Sequence, residues 1–314
     1  MKVMEVCFVG IGSIAKRHIR NLKVIAKNKN IDLQIDAIRR TRNRDEETDE
    51  LGIRNIYCSY KELQGMYDIV FVTNPTKLHM ETIENMSAYG KYFFVEKPIV
   101  TLEQVDAVRE LLGQDGSQYY VACPLRYNAV IQYLKNYINP KEVISVRSIS
   151  SSYLPDWRPG IDYRSTYSAQ RELGGGVSID LIHEWDYLTY LFGNPQKVKA
   201  IIAKKSNLEI DSDDLAIYIA EYQDKVVELH LDYFGRKTLR EIILIMTDDT
   251  IVGDIVNSRI TFLKSGETLD FNEDRDAYQI RELEHFLDIV EGKCINDNSA
   301  AHAISVLKFS QGEA

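Results

Sequence analysis

The sequence predicts two domains: an α/β domain with a doubly wound parallel sheet over residues 1–122, and an α+β domain with an open, mostly antiparallel sheet over residues 123–314. Two observations carry this prediction. In the first part of the chain, short apolar runs alternate with segments of helical periodicity, as in βαβ units. In the second part, strand-like runs follow one another with few helices between them, which is typical of antiparallel sheets.

The first domain opens with a mostly apolar run at 3–9, which predicts a strand buried on both faces. Apolar residues at helical spacing follow from Ile14 to Ile25. A later helix begins at Thr101, where Gln104 is spaced to complete a capping box. The remaining predicted elements are strands at 31–37, 68–73, 92–95 and 119–123 and a helix at 78–89.

The second domain is predicted to contain a helix at 176–192, a series of strands, and closing helices at 278–291 and 300–309. The pair Gln223-Asp224 has the length and chemistry of a tight hairpin turn between two strands. We expect a ligand to bind in a cleft between the two domains. The predicted strands are 143–151, 197–204, 215–222, 226–233 and 241–246.

Composition argues against several classes of partner. The formal net charge of −9 gives no overall attraction to nucleic acid or to anionic membranes. No apolar run has the length of a membrane span, and nothing at the N-terminus resembles a signal peptide, so we expect a cytoplasmic protein. No metal site is expected, because the sequence lacks His-Glu-x-x-His and any Cys/His cluster. The four cysteines form no Cys-x-x-Cys pair, and we expect Cys7 and Cys123, which lie in apolar strand-like segments, to be reduced core residues.

The motif GIGSIA at 10–15 lies between the first strand and the first helix. It is the dinucleotide-binding pattern of a Rossmann domain in its Gly-x-Gly-x-x-Ala form. Gly10 permits the tight turn, Gly12 lets a diphosphate approach the backbone, and Ala15 allows close packing of helix on strand. The free N–H groups at the start of the helix face the phosphates.

The end of the second strand bears on the choice between NAD and NADP. An acidic residue there would bind the ribose 2′-hydroxyl, whereas arginine accommodates a 2′-phosphate. Asp36 lies within the strand, and Arg39 and Arg40 follow its end. The sequence therefore favours NADP over NAD, with a purely solvated arginine loop as the alternative.

Four motifs occur in an order that resembles the glucose–fructose oxidoreductase / inositol dehydrogenase (Gfo/Idh/MocA) family. They are GIGSIA at 10–15, NPTKLH at 74–79, FVEKP at 94–98 and GGGVSIDLIHEWD at 174–186. The resemblance implies a Rossmann domain joined to an α+β domain whose open sheet often serves in oligomer contacts. We therefore expect a homodimer or homotetramer. It also implies cofactor contacts from Gly10, Gly12, Ser13, Ile14, Asn74, Pro75, His79, Glu96 and Lys97.

The resemblance further implies three catalytic residues. His183 is the acid/base, Lys97 binds the reacting oxygen and the nicotinamide ribose, and Asp180 hydrogen-bonds substrate or polarises the site. This fits the chemistry, because alcohol oxidation needs a base near neutral pKa and a cation beside the developing alkoxide. We expect the Lys97 amine and the His183 imidazole to meet over one face of the nicotinamide, and Asp180 and His183 to share a helix face. The common family pattern is Asp-x-x-x-His, whereas here it is Asp-x-x-His, so Asp186 is a rival partner for His183.

Substrate contacts are expected from two segments that the family uses for this purpose. Aromatic rings offer faces on which sugars stack, and arginines offer forked donors for a carboxylate or phosphate, which favours an acidic or nucleotide-linked sugar over a neutral cyclitol. Alternatively, the arginines brace a loop through ion pairs with Asp156, Asp162 or Glu172. The candidate contacts are Arg126, Tyr127, Trp157, Arg158, Tyr163 and Arg164.

Together these observations predict an NAD(P)-dependent oxidoreductase that transfers a hydride between nicotinamide and a hydroxyl or carbonyl carbon. The substrate class is a sugar, sugar acid, nucleotide sugar or cyclitol. Two alternatives remain: a non-catalytic protein that senses NADP(H), and an enzyme of the same fold that reduces an imine or enone. The first needs the glycine loop but neither Lys97 nor His183.

Overall fold

The computed structural model describes residues 2–44, 46–112, 116–274 and 276–314. The chain forms two compact units, the first comprising Met1–Ala122 and Gln279–Ile304 and the second Cys123–Tyr278 and Ser305–Ala314. The predicted fold classes are confirmed: a parallel, Rossmann-like sheet lies in the first unit and a mostly antiparallel sheet in the second. Among the described residues, no helix is long and apolar enough to cross a bilayer.

In the first unit the strands lie in the order β3-β2-β1-β4-β5-β6, and all neighbouring pairs are parallel. The strands are β1 (Lys2–Val9), β2 (Ile31–Ile38), β3 (Ile53–Tyr57), β4 (Tyr67–Val72), β5 (Gly90–Val95) and β6 (Tyr119–Val121). The helices are α1 (Ser13–Asn28), α2 (Glu46–Glu50), α3 (His79–Met86) and α4 (Val105–Leu112), with short 3-10 helices at Tyr60–Glu62, Thr76–Leu78 and Leu102–Gln104.

The strand register brings several loops to one edge of this sheet. Val9 pairs with both Ile38 and Val72, and Val72 pairs in turn with Val95. Because these residues are level and the strands are parallel, the loops after β1, β2, β4 and β5 leave the sheet side by side. The strand order reverses between β1 and β4, which is where such sheets bind ligands.

The sequence did not predict β3 or α2. β3 is an edge strand in which only Ile53 is fully buried, so its apolar signal is weak. α2 has five residues, four of them acidic. Polar edge elements of this length lack the periodicity on which sequence-based assignment depends.

The chain's division differs from the predicted continuous second domain, because residues 279–304 pack with the first unit. The physical cause is helix α8 (Ala277–Val290), whose apolar face joins the core of the parallel sheet. The Phe286 ring lies 5.2 Å from that of Phe94 and 5.5 Å from that of Tyr120. A sequence pattern reveals that a helix is amphipathic but not which sheet it covers.

In the second unit the strands lie in the order β14-β13-β12-β11-β7-β10-β9-β8, antiparallel except for the pair β10–β7. The strands are β7 (Val143–Tyr153), β8 (Lys197–Ala203), β9 (Leu215–Glu221), β10 (Val226–Asp232), β11 (Phe234–Met246), β12 (Thr250–Asp254), β13 (Arg259–Phe262) and β14 (Thr268–Asp270). The α-helices are α5 (Ala129–Tyr137), α6 (Val177–Asp180), α7 (His183–Phe192) and α9 (Ala300–Phe309), the last of which begins in the first unit. Short 3-10 helices occupy Pro124–Tyr127, Pro140–Glu142, Leu154–Asp156, Tyr163–Ser165, Tyr167–Ala169 and Arg171–Leu173.

The hairpin at Gln223-Asp224 is confirmed, since β9 and β10 are antiparallel with Glu221 opposite Val226. The prediction of a single helix over 176–192 is wrong. This segment is divided into α6 and α7 by a turn at Leu181 and Ile182, whose side chains are both buried. Asp180 and His183 therefore lie on separate helices rather than on one helix face.

We predict that Phe286→Ala lowers the free energy of unfolding by about 3–5 kcal/mol, because it leaves a cavity between α8 and the parallel sheet. Urea unfolding followed by circular dichroism measures the change. Ile295→Ala is the control, because Ile295 is 85% exposed and its truncation is expected to change stability by at most about 0.5 kcal/mol. Equal effects of the two substitutions would contradict the assignment of α8 to this core.

Candidate active site

The loop after β1 touches the loop after β4 at a glycine. Gly10 has a φ of +89°, and a Cβ there would lie 2.8 Å from the Asn74 Cα, a distance that real Cβ atoms do not show. The Thr73 hydroxyl donates to the carbonyl oxygens of Val9 at 3.1 Å and Gly10 at 2.8 Å. The turn predicted for Gly10 thus requires glycine for both its backbone angle and its close approach.

The start of α1 fits the diphosphate of a dinucleotide. Gly12 is the N-cap and makes no side-chain capping bond, and the first turn contains no acidic residue. A Cβ added to Gly12 would meet no atom of the described residues within 4 Å, so open space lies beside uncapped N–H groups. Ser13 is exposed and Ile14 half-buried at the rim of this space. Bare helix N–H groups and the helix dipole favour a bound anion.

Asp36 is not available to a ribose. It is 2% exposed, and its carboxylate accepts hydrogen bonds from Arg54 Nε and Nη2 at 2.9 Å each. The Asn55 backbone N–H at 3.1 Å and the Tyr67 hydroxyl at 3.0 Å also donate to it. These bonds satisfy the carboxylate inside the sheet, as its position within the strand implied.

The two arginines that follow β2 differ. The Arg39 guanidinium donates to the carbonyl of Thr41 at 2.9 Å and also to that of Asn43, so it closes its own loop. Arg40 is exposed and, across the described ranges, makes no hydrogen bond or ion pair. Of these two arginines, Arg40 is therefore the one whose guanidinium can donate hydrogen bonds to a ligand at this edge of the sheet.

Lys97 follows β5 and is half-buried. The residues predicted to bind cofactor beside it turn toward protein instead: the Glu96 carboxylate accepts from His18 Nε2 at 2.6 Å. His79 is 1% exposed, with Nε2 2.9 Å from the Asn74 carbonyl oxygen. Asn74 is half-buried and donates to the Thr82 hydroxyl at 2.7 Å, whereas Pro75 is exposed.

In the second unit, Asp180 accepts two phenol hydrogen bonds, one from Tyr167 and one of 2.6 Å from Tyr233. Asp180 is 5% exposed. Burial, together with the charge of Asp180, raises the pKa of Tyr167 and of Tyr233 well above the ordinary value, so both phenols stay protonated as donors. The tyrosines are 13 and 53 residues from Asp180 in sequence, and no motif indicated them.

His183 is the first residue of α7, a helix anchored by two ion pairs. Asp186 is bound by Arg126, with Nε–Oδ2 and Nη2–Oδ1 distances of 2.7 and 2.6 Å, and both side chains are buried. Glu184 accepts from Arg240 Nε at 2.6 Å. Both oxygens of Asp186 thus face an arginine, and Arg126, a predicted substrate contact, is enclosed by protein.

The other predicted substrate residues differ in their burial and in their contacts. Arg164 binds Asp162 at 2.9 Å and Glu209 at 2.8 Å, which is the bracing role considered as an alternative. Arg158 is exposed, and its guanidinium lies 5.9 Å from the centroid of the Tyr167 ring. Tyr127 is buried. A shallow pocket beside these residues is lined by Leu154, Pro155, Trp157, Arg158, Ile161, Tyr163, Thr166 and Ser168.

These groups can perform acid–base and electrostatic chemistry. Taken by itself, the first unit has an open helix N-terminus and the Lys97 amine on one sheet edge, and the second unit has the His183 imidazole and the hydrogen-bonded Asp180 carboxylate. In the part of the chain that the structure describes, no group of three or more His, Cys, Asp and Glu side chains is arranged to hold a metal ion.

Sequence comparison identifies both domains. A model described as "Oxidoreductase family, NAD-binding Rossmann fold" (GFO_IDH_MocA) matches residues 4–123, and the GFO/IDH/MocA C-terminal domain matches residues 131–252. The uncharacterized oxidoreductase YrbE of Bacillus subtilis is 26% identical over 207 residues, which is 64% of this chain and 56% of that protein. The matched regions span 36–56% of the length of such curated relatives.

Solved structures share the fold over nearly the whole chain. Levoglucosan dehydrogenase has a TM-score of 0.84 at 17% identity, with 99% of this chain and 96% of that chain covered. UDP-N-acetylglucosamine 3-dehydrogenase GnnA from Acidithiobacillus ferrooxidans has a TM-score of 0.78 at 19% identity and the same coverage of both chains. The chain belongs to the Gfo/Idh/MocA family of oxidoreductases, and its N-terminal part is an NAD-binding Rossmann domain.

Proposed function

We propose that this protein is an NAD(P)-dependent oxidoreductase that transfers a hydride between nicotinamide and a hydroxyl or carbonyl carbon of a carbohydrate. The observation that carries the proposal is the uncapped cradle at Gly12 on the same sheet edge as Lys97. A related solved structure supports the substrate class: levoglucosan dehydrogenase occurs in complex with NADH and levoglucosan. The class includes sugars, sugar acids, nucleotide sugars and cyclitols.

A dinucleotide held at the open N-terminus of α1 would supply a nicotinamide as the hydride acceptor for the carbinol carbon. The Lys97 ammonium hydrogen-bonds the reacting oxygen and lowers the pKa of the alcohol, because a cation favours the developing alkoxide. An imidazole nitrogen of His183 accepts the hydroxyl proton, and in the reverse direction returns it to the carbonyl oxygen. The carbinol carbon thus loses a hydride to nicotinamide, the hydroxyl loses its proton to His183, and the C–O bond becomes C=O.

Asp180 acts in this scheme as a fixed negative charge and hydrogen-bond acceptor. Its oxygens accept from the phenols of Tyr167 and Tyr233, so the carboxylate is oriented before substrate arrives. Preorganised charges of this kind cost no rearrangement during the reaction. Asp186 is the weaker candidate, because the Arg126 cation neutralises its charge, whereas the neutral phenols leave the charge of Asp180 in place.

NADP is the proposed cofactor, with Arg40 as the residue that binds the 2′-phosphate. The Asp36 carboxylate already accepts from five donor atoms of Arg54, Asn55 and Tyr67, and Arg39 binds its own loop. Arg40 is exposed at the end of β2, and a guanidinium matches a phosphate bidentately. Arg40 therefore supports NADP despite the family's general description as NAD-binding.

Substrate is proposed to contact the pocket lined by Trp157, Arg158 and Tyr163. The Trp157 ring is held edge-on against Tyr233, with centroids 5.2 Å apart, and its Nε1 donates to the Ser152 hydroxyl at 2.9 Å. A ring fixed in this way offers a rigid stacking face at low entropic cost. Arg158 supplies the cation for an acidic or nucleotide-linked sugar.

A homodimer or homotetramer is proposed through the second sheet. Ile201 of β8 is 61% exposed and Ile219 of β9 is 43% exposed. Ile201 pairs with the half-buried Ile217 across the two strands, so the isoleucines form an apolar area on one face. Clustered apolar residues on a sheet face are typical of protein interfaces.

We predict that Gly12→Ala weakens NADH and NADPH binding about tenfold or more, equivalent to about 1.4 kcal/mol, because the added methyl group enters the space for the diphosphate. Folding is expected to be preserved, since Gly12 has a φ of −87°. Gly10→Ala is the contrasting variant, expected to destabilise the fold by about 2–4 kcal/mol from a left-handed backbone and steric overlap. Fluorescence titration and urea unfolding measure these effects, and wild-type affinity in Gly12→Ala would refute the cradle.

Lys97→Met and His183→Ala are each expected to lower kcat by about 10²–10⁴-fold, as expected for a lost acid–base or electrostatic group, while the NAD(P)H Kd changes little. The assay follows nicotinamide absorbance with UDP-sugars, sugar acids, aldoses and inositols. Lys77→Met removes an exposed lysine and serves as control. Turnover retained by either active-site variant would end the role proposed for that residue.

Arg40→Asp is expected to weaken NADP(H) binding by about 1–3 kcal/mol without weakening NAD(H), because it removes a charge-assisted bond to the 2′-phosphate. Isothermal titration with both cofactors gives the two affinities. Lys27→Asp makes the same change in net charge near the far end of α1. If NADP(H) affinity is unchanged in Arg40→Asp, Arg40 does not select the cofactor.

A further inference from the structure

We propose that His18 and His79 are positioning residues that clamp the backbone of Lys97, one from each side, relative to the diphosphate cradle. The inference rests on the proposed function, because it concerns the lysine that acts on the reacting oxygen. Both histidines are buried in the first unit, His18 at 2% exposure and His79 at 1%. Neither was predicted to act in this way.

His18 holds the residue before Lys97. Its imidazole comes from α1, the helix whose first turn forms the cradle, and its Nε2 lies 2.6 Å from Glu96 Oε1. The ring packs edge-on against Phe94, with centroids 5.0 Å apart. The Glu96 backbone N–H in turn donates to the Val72 carbonyl at 3.0 Å. A rigid chain of contacts thus joins the cradle to Glu96.

His79 holds the residues after Lys97. Its Nδ1 lies 3.1 Å from the carbonyl oxygens of both Pro98 and Ile99. Its Nε2 lies 2.9 Å from the carbonyl oxygen of Asn74, the residue that closes against Gly10. A neutral imidazole donates from one nitrogen only, so His79 hydrogen-bonds either Asn74 or the Pro98 and Ile99 carbonyls, and its ring contacts both the loop after β4 and the loop after β5.

The environment of these rings explains why they fix the loop. Burial removes water from both imidazoles, so the Glu96 carboxylate compensates His18 Nε2 and backbone carbonyls compensate His79, whereas His18 Nδ1 is buried without a hydrogen-bond partner among the described residues. Burial also lowers the pKa of His79, while the surrounding carbonyls oppose that decrease. Buried polar networks favour one arrangement because any other leaves polar atoms unpaired.

The same contacts suggest a different role for two of the residues that were expected to bind cofactor. Glu96 and His79, expected to bind cofactor, direct their polar atoms to His18 and to backbone carbonyls. They act through Lys97 rather than on the cofactor. Because a displacement of 1 Å at a catalytic group can cost about 10²-fold in rate, loss of the clamp should lower kcat without a matching loss of cofactor affinity.

The experiment compares His18→Leu and His79→Leu in the full chain with the conservative variants His18→Gln and Glu96→Gln. The leucine variants keep the apolar packing and remove the hydrogen bonds, whereas an amide side chain keeps a donor at 18 and an acceptor at 96. His302→Leu in α9 is the control for loss of a histidine elsewhere. The readouts are kcat, the NADPH Kd, the melting temperature and the acetylation rate of the Lys97 amine measured by peptide mass spectrometry.

We expect the leucine variants to lose about 10²-fold in kcat, with the Kd within about threefold and altered Lys97 acetylation. The Gln variants are expected to recover at least a tenth of the wild-type kcat, and they test the clamp even if a leucine variant fails to fold. Folded leucine variants with wild-type kcat and Lys97 acetylation overturn the proposal, as does a Kd loss equal to the kcat loss. If the wild type binds NADPH but turns over no carbohydrate, the proposed function fails, and Lys97 acetylation still decides the clamp.

Discussion

The close approach of Gly10 to Asn74 is the constraint on which the first unit depends. Because Gly10 has no side chain, the loops after β1 and β4 can come into contact. The N-terminus of α1 stays open beside them. The level register of Val9, Ile38, Val72 and Val95 then brings Arg40 and Lys97 to the same edge. The open N-terminus of α1, Arg40 and Lys97 thus share one sheet edge because of one backbone contact and the parallel register.

In the second unit, buried ion pairs and hydrogen bonds fix the positions of the candidate residues, whereas in the first unit the backbone register fixes them. Asp186 is bound by Arg126, Glu184 by Arg240, and Asp180 by two phenols, all in or beside the short helices α6 and α7. Removing one partner of such a buried pair typically costs about 3–5 kcal/mol, because it leaves an uncompensated charge. The arrangement fixes the helix that begins at His183.

Local signals predicted much of this architecture. The glycine motif, its flanking strand and helix, the hairpin at Gln223-Asp224 and the order of the family's motifs all depend on neighbouring residues. The errors concern long-range contacts: α8 covers the first sheet, the turn at Leu181 and Ile182 is held by burial, and Tyr167 and Tyr233 meet Asp180 across 13 and 53 residues. Sequence likewise does not reveal that the Arg126 guanidinium binds Asp186. Periodicity carries no information about such partners.

The most direct test of the account is deuterium transfer from C4-deuterated NADPH to a panel of ketosugars, keto-UDP-sugars, keto acids of sugars and inososes, read by mass spectrometry and NMR. The account predicts one deuterium on the new carbinol carbon of at least one carbohydrate with the wild-type protein. Bound cofactor with no deuterium in any carbohydrate product would contradict it.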